Sequence, residues 1–557
     1  MLTYNSKIAD KIGSLFLNLS KHFIMKQLIL LTLIGLTNLT ISYAQECIPN
    51  NFATMDANNV KTTFTNGEIL FFDLNDGLYE VPQGGNISSI FAGSIWMGGI
   101  DENGLLKAAA GTYRQTGNDF FSGPLNENAE TQGTWCDDFN RVFTIEKNEV
   151  DNFIDNNFET AFITENIKNW PARNNPVFDL FELPTDMDLA PFIDSNNDGN
   201  YNPADGDFPI CKGDQNFWCV FNDAGQHTET GGQSLGFQIE GYYYALASND
   251  ALNNTTFWEF DITNKSDKAI NDFYFSFWLD VDLGNYLDDF VGCSPEKNLA
   301  YAYNGDAYDD GNAGYGEDIP VVGVEIIDGL KDNSGNDLGL STFLSYNNNF
   351  DINGNPETAS HFYNYMKGIW KDGSQIINPI TNEPTTFMYT DSPTETEGWS
   401  ECSLGNPASD RRFLLASGPA TIQSGETQNL TYAIYWVQED IDYPCPNAEN
   451  AFNEASFLAN VYLNQFEEET NVATTNIDET SIKIGPNPAS TFCEVSVGKH
   501  QKFDVEISSI SGKSIYKAFN LTEIEIIDLT NFSNGQYLLS ISQNQQLIAT
   551  QKLVVVK

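Results

Sequence analysis

The 557-residue chain carries 27 basic against 77 acidic side chains, a formal net charge of −50, and 13% of its residues are aromatic. A surface this acidic repels nucleic acid and anionic membranes and attracts cations, which excludes the polyanion-binding classes. The ring content excludes a disordered, solvating chain, because so many aromatic side chains can bury a large core.

Met25-Lys26, the apolar run 28–36 and then Ser42-Tyr43-Ala44 read as a signal peptide cut before Gln45, so residues 1–44 form an upstream extension and signal peptide. A membrane span needs about twenty continuous apolar residues. The run is shorter than that, Thr37, Asn38 and Thr40 dilute the stretch after it, and no other segment qualifies, so the protein is expected not to be transmembrane. Gln45 and Glu46 before Cys47 do not make a lipoprotein box.

Setting aside the four lysines and one aspartate of residues 1–44 leaves 23 bases and 76 acids. Residues 481–557 hold 7 lysines and 6 acids, net +1, so residues 45–480 carry 16 bases and 70 acids, net −54. That shift marks a domain boundary near 480, and residues 467–480 have the polar composition of a linker. The expected organisation is an acidic β-rich ectodomain at 45–466, the linker, and a small domain at 481–557. All 8 cysteines lie after the signal peptide, so disulfides are expected; Cys211 and Cys219 are the first pair to consider among 105 pairings. No CxxC occurs and histidine is scarce, which argues against zinc.

Within the ectodomain, short apolar runs at 69–72 and 87–96, broken by Gly84-Gly85 and Gly98-Gly99, predict strands and loops. Val150, Phe153, Ile154, Phe158, Phe162 and Ile163 fall at loose helical intervals, and Trp170-Pro171 closes that segment. Long strands come next. Phe237, Ile239, Tyr243 and Ala245 share one face; Trp258, Phe260 and Ile262 share another; Phe273, Phe275, Phe277 and Leu279 alternate with Tyr274, Ser276 and Trp278. Residues 264–271 suggest a hairpin between the last two strands. Leu430, Tyr432, Ile434 and Trp436 predict a late strand, and Phe452, Ala455, Ala459, Tyr462 and Phe466 a terminal helix capped by Asn447. No internal repeat is visible.

One loop carries readable chemistry. Asp194-Ser195-Asn196-Asn197-Asp198-Gly199-Asn200-Tyr201-Asn202-Pro203-Ala204-Asp205 sets oxygen groups at positions 1, 3, 5, 9 and 12, with glycine at position 6 where the chain turns sharply. Calcium takes six to eight oxygens. Asp194, Asn196, Asp198, Asn200 through its carbonyl, Asn202 and Asp205 are therefore the predicted metal ligands, with Asp207 as a spare carboxylate. The loop resembles the EF-hand, and more closely the dockerin type. Pro203, Pro209 and the single copy depart from a helix-pair sensor and point to a structural calcium brace.

Asp280 and Asp282 lie on one face of a strand end, with Asp288 and Asp289 after them, and can share a cation or act as an acid/base pair. The run 306–318 is a weaker version of the same pattern. Gly232-Gln233-Ser234-Leu235-Gly236 matches GxSxG, but a strand succeeds it in place of a helix; His227 is read as a loop or surface histidine. Tyr242 to Tyr244, Trp258 and Trp278 can stack on sugar rings, though strand aromatics are more often core or cross-strand partners. No catalytic residue is assigned.

The tail alternates strongly. Phe503, Val505 and Ile507 share a strand face, Ser511-Gly512-Lys513 makes a turn, Ile524 and Ile526 begin a strand, and Asn534-Gly535 precedes Tyr537, Leu539 and Ile541. Roughly seven such strands suit an immunoglobulin-like sandwich. Ile484-Gly485-Pro486-Asn487-Pro488-Ala489 resembles the entry motif of the type A sorting domain of the type IX secretion system. Ser511-Gly512-Lys513, Asp528-Leu529, Gly535-Gln536-Tyr537 and the closing residues 552–557 fall where that family has its later blocks, and Gly485 replaces the usual aromatic. The resemblance implies that the secretion machinery engages residues 481–557 and that the product, freed of its tail, is released or anchored to surface polysaccharide. Residues 167–171, the calcium loop, 213–223 and 280–293 also resemble acidic ectodomains found upstream of such tails, which informs architecture only.

The expected fold class is mainly β: a large β-sandwich-type body with a few helices and a small C-terminal immunoglobulin-like β-sandwich. The expected function is that of a secreted or cell-surface calcium-binding protein in adhesion or glycan interaction. The alternative is a hydrolase of extracellular polymer working through the acids near Asp280.

Overall fold

In the computed structural model, residues 47–557 are described apart from 132–133, 178–186, 439–440, 473–482, 486–488, 497–501, 510–513, 522–523, 534, 544–545 and 556. The expected extension and signal peptide at 1–44, most of the expected linker, Pro486-Asn487-Pro488, Ser511-Gly512-Lys513 and Asn534 lie outside the described residues. The chain is mainly β, as its alternating and ring-rich segments predict.

The body is a sandwich of two antiparallel sheets. The larger runs, in spatial order, through Asp289–Ser294, Leu299–Asn304, Val321–Asp328, Thr427–Val437, Thr255–Asn264, Phe237–Ala245, Gln215–Asn222 and Phe121–Ser122, and Phe143–Glu146 also pairs with Gln215–Asn222. The smaller has the order Thr342–Tyr346, Arg411–Ile422, Ile270–Val281, Ala92–Asp101, Leu106–Ala110. Between them lies a core of rings: Phe260 meets Phe275 at 5.6 Å and Phe277 at 6.2 Å, and Phe277 stacks on Tyr432 at 4.8 Å.

The outer faces are buried too, which is why the strands read as nearly continuous apolar runs. On the larger sheet, Phe257 packs on Tyr462 of helix Asn453–Val472 and Tyr435 packs on Phe452. Helix Lys147–Asp155 adds Val150 and Phe153 to that second core. On the smaller sheet, Trp96 meets Phe362 of helix Ala359–Met366 at 4.8 Å.

Several expectations change. Residues 264–271 do not make a hairpin: Thr255–Asn264 pairs with Phe237–Ala245 and Thr427–Val437, whereas Ile270–Val281 pairs with Ala92–Asp101 and Arg411–Ile422. Each strand carries a row of rings that must face an opposing apolar surface, so the chain crosses between sheets. Gly98 and Gly99 do not break a strand but lie inside Ala92–Asp101. A side chain at Gly98 would come within 2.8 Å of Met366 and Tyr363, and one at Gly99 within 2.4 Å of Ile270. Residues 69–72 are buried yet form only isolated bridges, with Phe71 and Leu74 in left-handed backbone (φ 65° and 75°) interrupting the extended run. The expected helical stretch resolves into three short helices, Lys147–Asp155, Thr160–Phe162 and Glu165–Lys168.

Cys211 and Cys219 are both free thiols, because Cys219 points into the inter-sheet core and Cys211 packs against the core on the other side of the sheet. The disulfide that forms nearby in sequence to the late strand is Cys402–Cys445, and Cys47 and Cys136 are also disulfide-bonded. Asn447 precedes helix Ala448–Ala451, but its side chain makes no capping bond. Helix Asn453–Val472 extends past the expected linker start at 467.

In the tail, seven strands among the described residues divide into a sheet of Lys483–Gly485, Phe492–Ser496 and Ile524–Asp528 and a sheet of Ser514–Leu521, Phe503–Ser509, Gly535–Gln543 and Gln546–Val555. Phe503, Val505, Ile507, Leu539 and Ile541 are buried between them as their alternation predicts; in the strand begun by Ile524 it is Ile527 that points inward.

Replacing Phe260 by alanine removes a fully buried ring that four others surround. It should cost about 3–5 kcal/mol. Urea unfolding monitored by tryptophan fluorescence measures this in the body alone, since all nine tryptophans lie between residues 96 and 436. A loss below about 1 kcal/mol would show that the sheets do not depend on this contact.

Candidate functional site

Antiparallel register places Asp280, near the end of strand Ile270–Val281, directly opposite Arg412 at the start of strand Arg411–Ile422. The Arg412 guanidinium reaches Asp280 Oδ2 at 3.3 Å through Nη2 and Asp410 Oδ1 at 2.8 Å through Nη1. Tyr113, from the segment after strand Leu106–Ala110, donates its hydroxyl proton to Asp280 Oδ2 at 2.6 Å and accepts from Arg412 Nε at 2.7 Å. Asp280 and Arg412 are nearly fully buried. The network is braced from behind: Trp278 packs edge-on to Tyr113 at 5.3 Å and donates from Nε1 to the Tyr346 hydroxyl at 2.7 Å.

The structure brings Asp282 to this cluster, as its spacing from Asp280 suggests, and adds Asp410; carboxylate oxygens of the three lie within 4.8 Å of one another. One guanidinium therefore faces three carboxylates. Burial pushes Asp280 above the usual carboxyl range despite Arg412 and Tyr113, and burial with the charges of Asp280 and Asp410 raises Asp282. Arg412 supplies a cation between Asp280 and Asp410, and among the described residues no ion pair reaches Asp282.

The network floors an open cleft of about 640 Å³. Phe91, Tyr113, Tyr346 and Phe350 give it ring surfaces, Gln115 and Asn348 amide groups, and Glu229 a second carboxyl. Glu229 accepts from the Thr112 hydroxyl at 2.6 Å and from the Gly117 N–H at 2.9 Å, yet burial, reinforced by Asp119, raises its carboxyl to about 7. Asp280 Oδ1 is buried without a hydrogen-bond partner. A cleft holding two carboxyls displaced above their ordinary range can donate protons near neutral pH as well as hydrogen bonds.

Two other motifs resolve differently. His227 is buried, not a surface residue, and its ring nitrogens face the carbonyls of Ala108 and Asp223 at 2.7 and 2.8 Å, leaving neither to activate Ser234. Tyr242, Tyr243, Tyr244, Trp258 and Trp278 are core residues and offer no sugar platform. Tyr113, Glu229, Asp410 and Arg412 carried no sequence signal, because Tyr113 meets Asp280 across 167 residues and Arg412 across 299.

The predicted calcium loop is closed at its base by a short ladder, Phe192–Ile193 with Phe208–Pro209. Asp194 accepts from the N–H groups of Asp198 (3.2 Å) and Gly199 (2.7 Å), and Gly199 takes φ 78° at the turn. Asp198 accepts from the Asn200 N–H at 2.8 Å, which lowers its pKa, and is bonded by Asn196 Nδ2 at 3.1 Å. Asn202 donates from Nδ2 to Asp205 at 2.6 Å, and only the 3-10 turn Pro203–Asp205 comes after it, in place of an exiting helix. Asp207 is fully buried and accepts from the N–H groups of Ser195 and Asn202, both at 2.8 Å, so it ties the two ends of the loop together. Burial and the charges of Asp194 and Asp198 raise its pKa. The residue types are those a hard cation takes, but their oxygens here accept the loop's own N–H and amide donors, and Asp194, Asp198 and Asp205 do not converge to within 4.8 Å as a group.

Residues 483–556 match the family model described as the secretion system C-terminal sorting domain. No curated protein matches the chain. Among solved structures, a polysaccharide lyase aligns at 9% identity over 57% of this chain and 34% of its own, with a TM-score of 0.17. A biofilm-associated protein BSP domain aligns at 9% identity over 62% of this chain and 60% of its own, with a TM-score of 0.13. The chain thus spans about a third of the first and three fifths of the second. Likenesses this loose carry no argument about fold or activity. The sorting domain makes the chain a substrate of type IX secretion, sent to the cell surface or beyond, and implies that the tail interacts with that machinery. Among the described residues no helix is long and apolar enough to cross a membrane.

Glu229 offers a direct test of the cleft's electrostatics. Its folded value of about 7 lies above its ordinary value of 4.5, so the fold favours the neutral acid. Stability is then full below about pH 4.5 and falls as pH rises toward 7, by up to about 3 kcal/mol from this group. Glu229→Gln should flatten the decline between pH 4.5 and 7 relative to the parent chain in chemical denaturation; parallel pH profiles would show that Glu229 titrates normally.

Proposed function

We propose that this type IX secretion substrate is a calcium-braced surface protein that binds glycan in the cleft above Asp280. The observation that carries the reading is the Tyr113–Asp280–Arg412 network, a fixed and buried set of donors and acceptors opening into a cleft walled by rings and amides. Sugars present hydroxyl groups that demand directional hydrogen bonds and C–H faces that pack on aromatic rings; a pocket suited to them combines both. Phe350, 74% exposed at the cleft, is placed to cover a ring once one is bound.

Calcium belongs to this reading as a brace. Asp194, Asn196, Asp198, Asn200, Asn202 and Asp205 would hold the ion, and Asp207 supports the loop's ends from within. An ion there neutralises carboxylates that otherwise repel one another. After export the tail is removed and the body is attached to surface polysaccharide or released.

A second reading, hydrolysis of an extracellular polymer, is favoured by one specific observation: Asp280 and Glu229 are both held above the ordinary carboxyl range in the same cleft. Glycosidic bonds are cleaved by a pair of carboxyls, one of which is held protonated to serve as the acid.

Two experiments bear on these claims. Calcium at about 100 times its Kd should add about 2.7 kcal/mol to stability. The gain measured by melting the chain in calcium and in chelator should shrink in the variant Asp194→Ala with Asp198→Ala, and an unchanged gain would remove the loop from the account. On a glycan array, the wild-type protein should retain a ligand that Phe350→Ala binds at least tenfold more weakly while melting at the same temperature. Release of products from that ligand, lost in Asp280→Asn with binding intact, would replace the binder by the hydrolase; an array without a ligand would end both.

A further inference from the structure

Three carboxylates gather where strands Ile270–Val281 and Arg411–Ile422 end, and of these Asp280 lines the cleft whereas Asp282 and Asp410 stand outside its lining. Asp280 Oδ2 is filled, with the Tyr113 hydroxyl donating at 2.6 Å and Arg412 Nη2 at 3.3 Å. Asp280 Oδ1 is buried and has no hydrogen-bond partner. At 2% exposure, Asp280 does not draw the missing donor from bulk water. Asp410 is held by Arg412 Nη1 at 2.8 Å. Asp282 is half-buried, and no hydrogen bond or ion pair found among the described residues reaches it. The other titratable groups facing the pair are Tyr113 and Tyr346, whose hydroxyls burial keeps protonated, and Asp289, a further like charge on Asp282.

Oxygens of Asp280, Asp282 and Asp410 lie within 4.8 Å of one another. Like carboxylates about 4–6 Å apart oppose each other's ionisation, and here one guanidinium stands against three of them. A single proton answers both features. It removes one of the repelling charges, and the carboxyl that carries it becomes a donor beside the unfilled acceptor Asp280 Oδ1. Burial first, and like charge after it, hold Asp280 and Asp282 above the usual carboxyl range. We infer that Asp280 and Asp282 hold one proton between them, and that Asp282 is a positioning residue which stores the proton that Asp280 presents to the cleft.

The storage role rests on the hydrolytic reading of the cleft; the shared proton does not. In hydrolysis the stored proton passes from Asp282 to Asp280 and from there to the leaving oxygen as the glycosidic C–O bond breaks. The water whose hydroxyl joins the sugar returns a proton to Asp282, which is the more exposed of the two acids.

The test is infrared difference spectroscopy on residues 45–557 at about pH 6, where an ordinary aspartate is ionised. Subtracting the spectrum of Asp282→Asn from that of the parent should leave the carbonyl band of one neutral carboxyl. If Asp282→Asn does not fold, Asp410→Asn takes its place: it removes a like charge, so the band should titrate away at lower pH than in the parent. A difference spectrum without the band, or an unmoved Asp410→Asn titration, would overturn the shared proton. So would loss of the parent's band on adding calcium, which would give the cluster to a cation. Where the parent cleaves a glycan, Asp282→Asn should lower kcat by about tenfold or more with KM unchanged, and shift the alkaline limb of the pH profile downward. An unchanged kcat and limb would remove the storage role. A parent that cleaves nothing would end the hydrolytic reading and the storage role together, while the band still decides whether the proton is shared.

Discussion

The rest of the body depends on the ring packing between its two sheets. Phe260 against Phe275 and Phe277, and Phe277 on Tyr432, place strands Thr255–Asn264 and Ile270–Val281 face to face, although they are adjacent in sequence. A hairpin would have set both rows of rings on one sheet and left them without an opposing surface. Because the chain crosses over, strand Ile270–Val281 runs beside Arg411–Ile422, and the ends of these two strands bring Asp280, Asp282 and Asp410 around Arg412. The cleft chemistry is thus a consequence of how the core is satisfied.

Charge is distributed by the same logic. Three of the five arginines are used inside the body, as Arg114 with Glu68, Arg411 with Glu401 and Arg412 with Asp280, each partner nearly fully buried. Removing one member of such a pair strands the other in a medium that solvates it poorly, so these bases are not free to offset the acidic surface. The charge left outside is overwhelmingly negative, and at the loop 194–205 the Asp194 carboxylate is held by backbone N–H donors.

Much of the fold was legible from local pattern. The rows at Phe237, Trp258, Phe273 and Leu430 are strands as their alternation implies, and Ala455 to Phe466 lie in one helix, Asn453–Val472. The failures share a cause. Gly98 and Gly99 looked like strand breakers because the packing of Met366, Tyr363 and Ile270 against bare backbone is invisible in sequence. The Cys211–Cys219 pairing looked plausible because proximity along the chain says nothing about which face of a sheet each thiol occupies. At the cleft, Asp280 and Asp282 were identifiable, but Tyr113, Glu229, Asp410 and Arg412 were not.

By itself, the sequence determined the features built from neighbours: the secretion tail, whose short alternating strands and turn motifs define a small sandwich, and the loop 194–205, whose oxygen groups are set by spacing within twelve residues. Only the tertiary structure decided which strands share a sheet and that Tyr113, Asp280 and Arg412 form one network. The physical reason is range. Turn and loop geometry is set by backbone dihedrals over a few residues, whereas the pairing of Thr255–Asn264 with Thr427–Val437 and the burial of Asp280 beside Tyr113 and Arg412 are settled by contacts between segments more than a hundred residues apart.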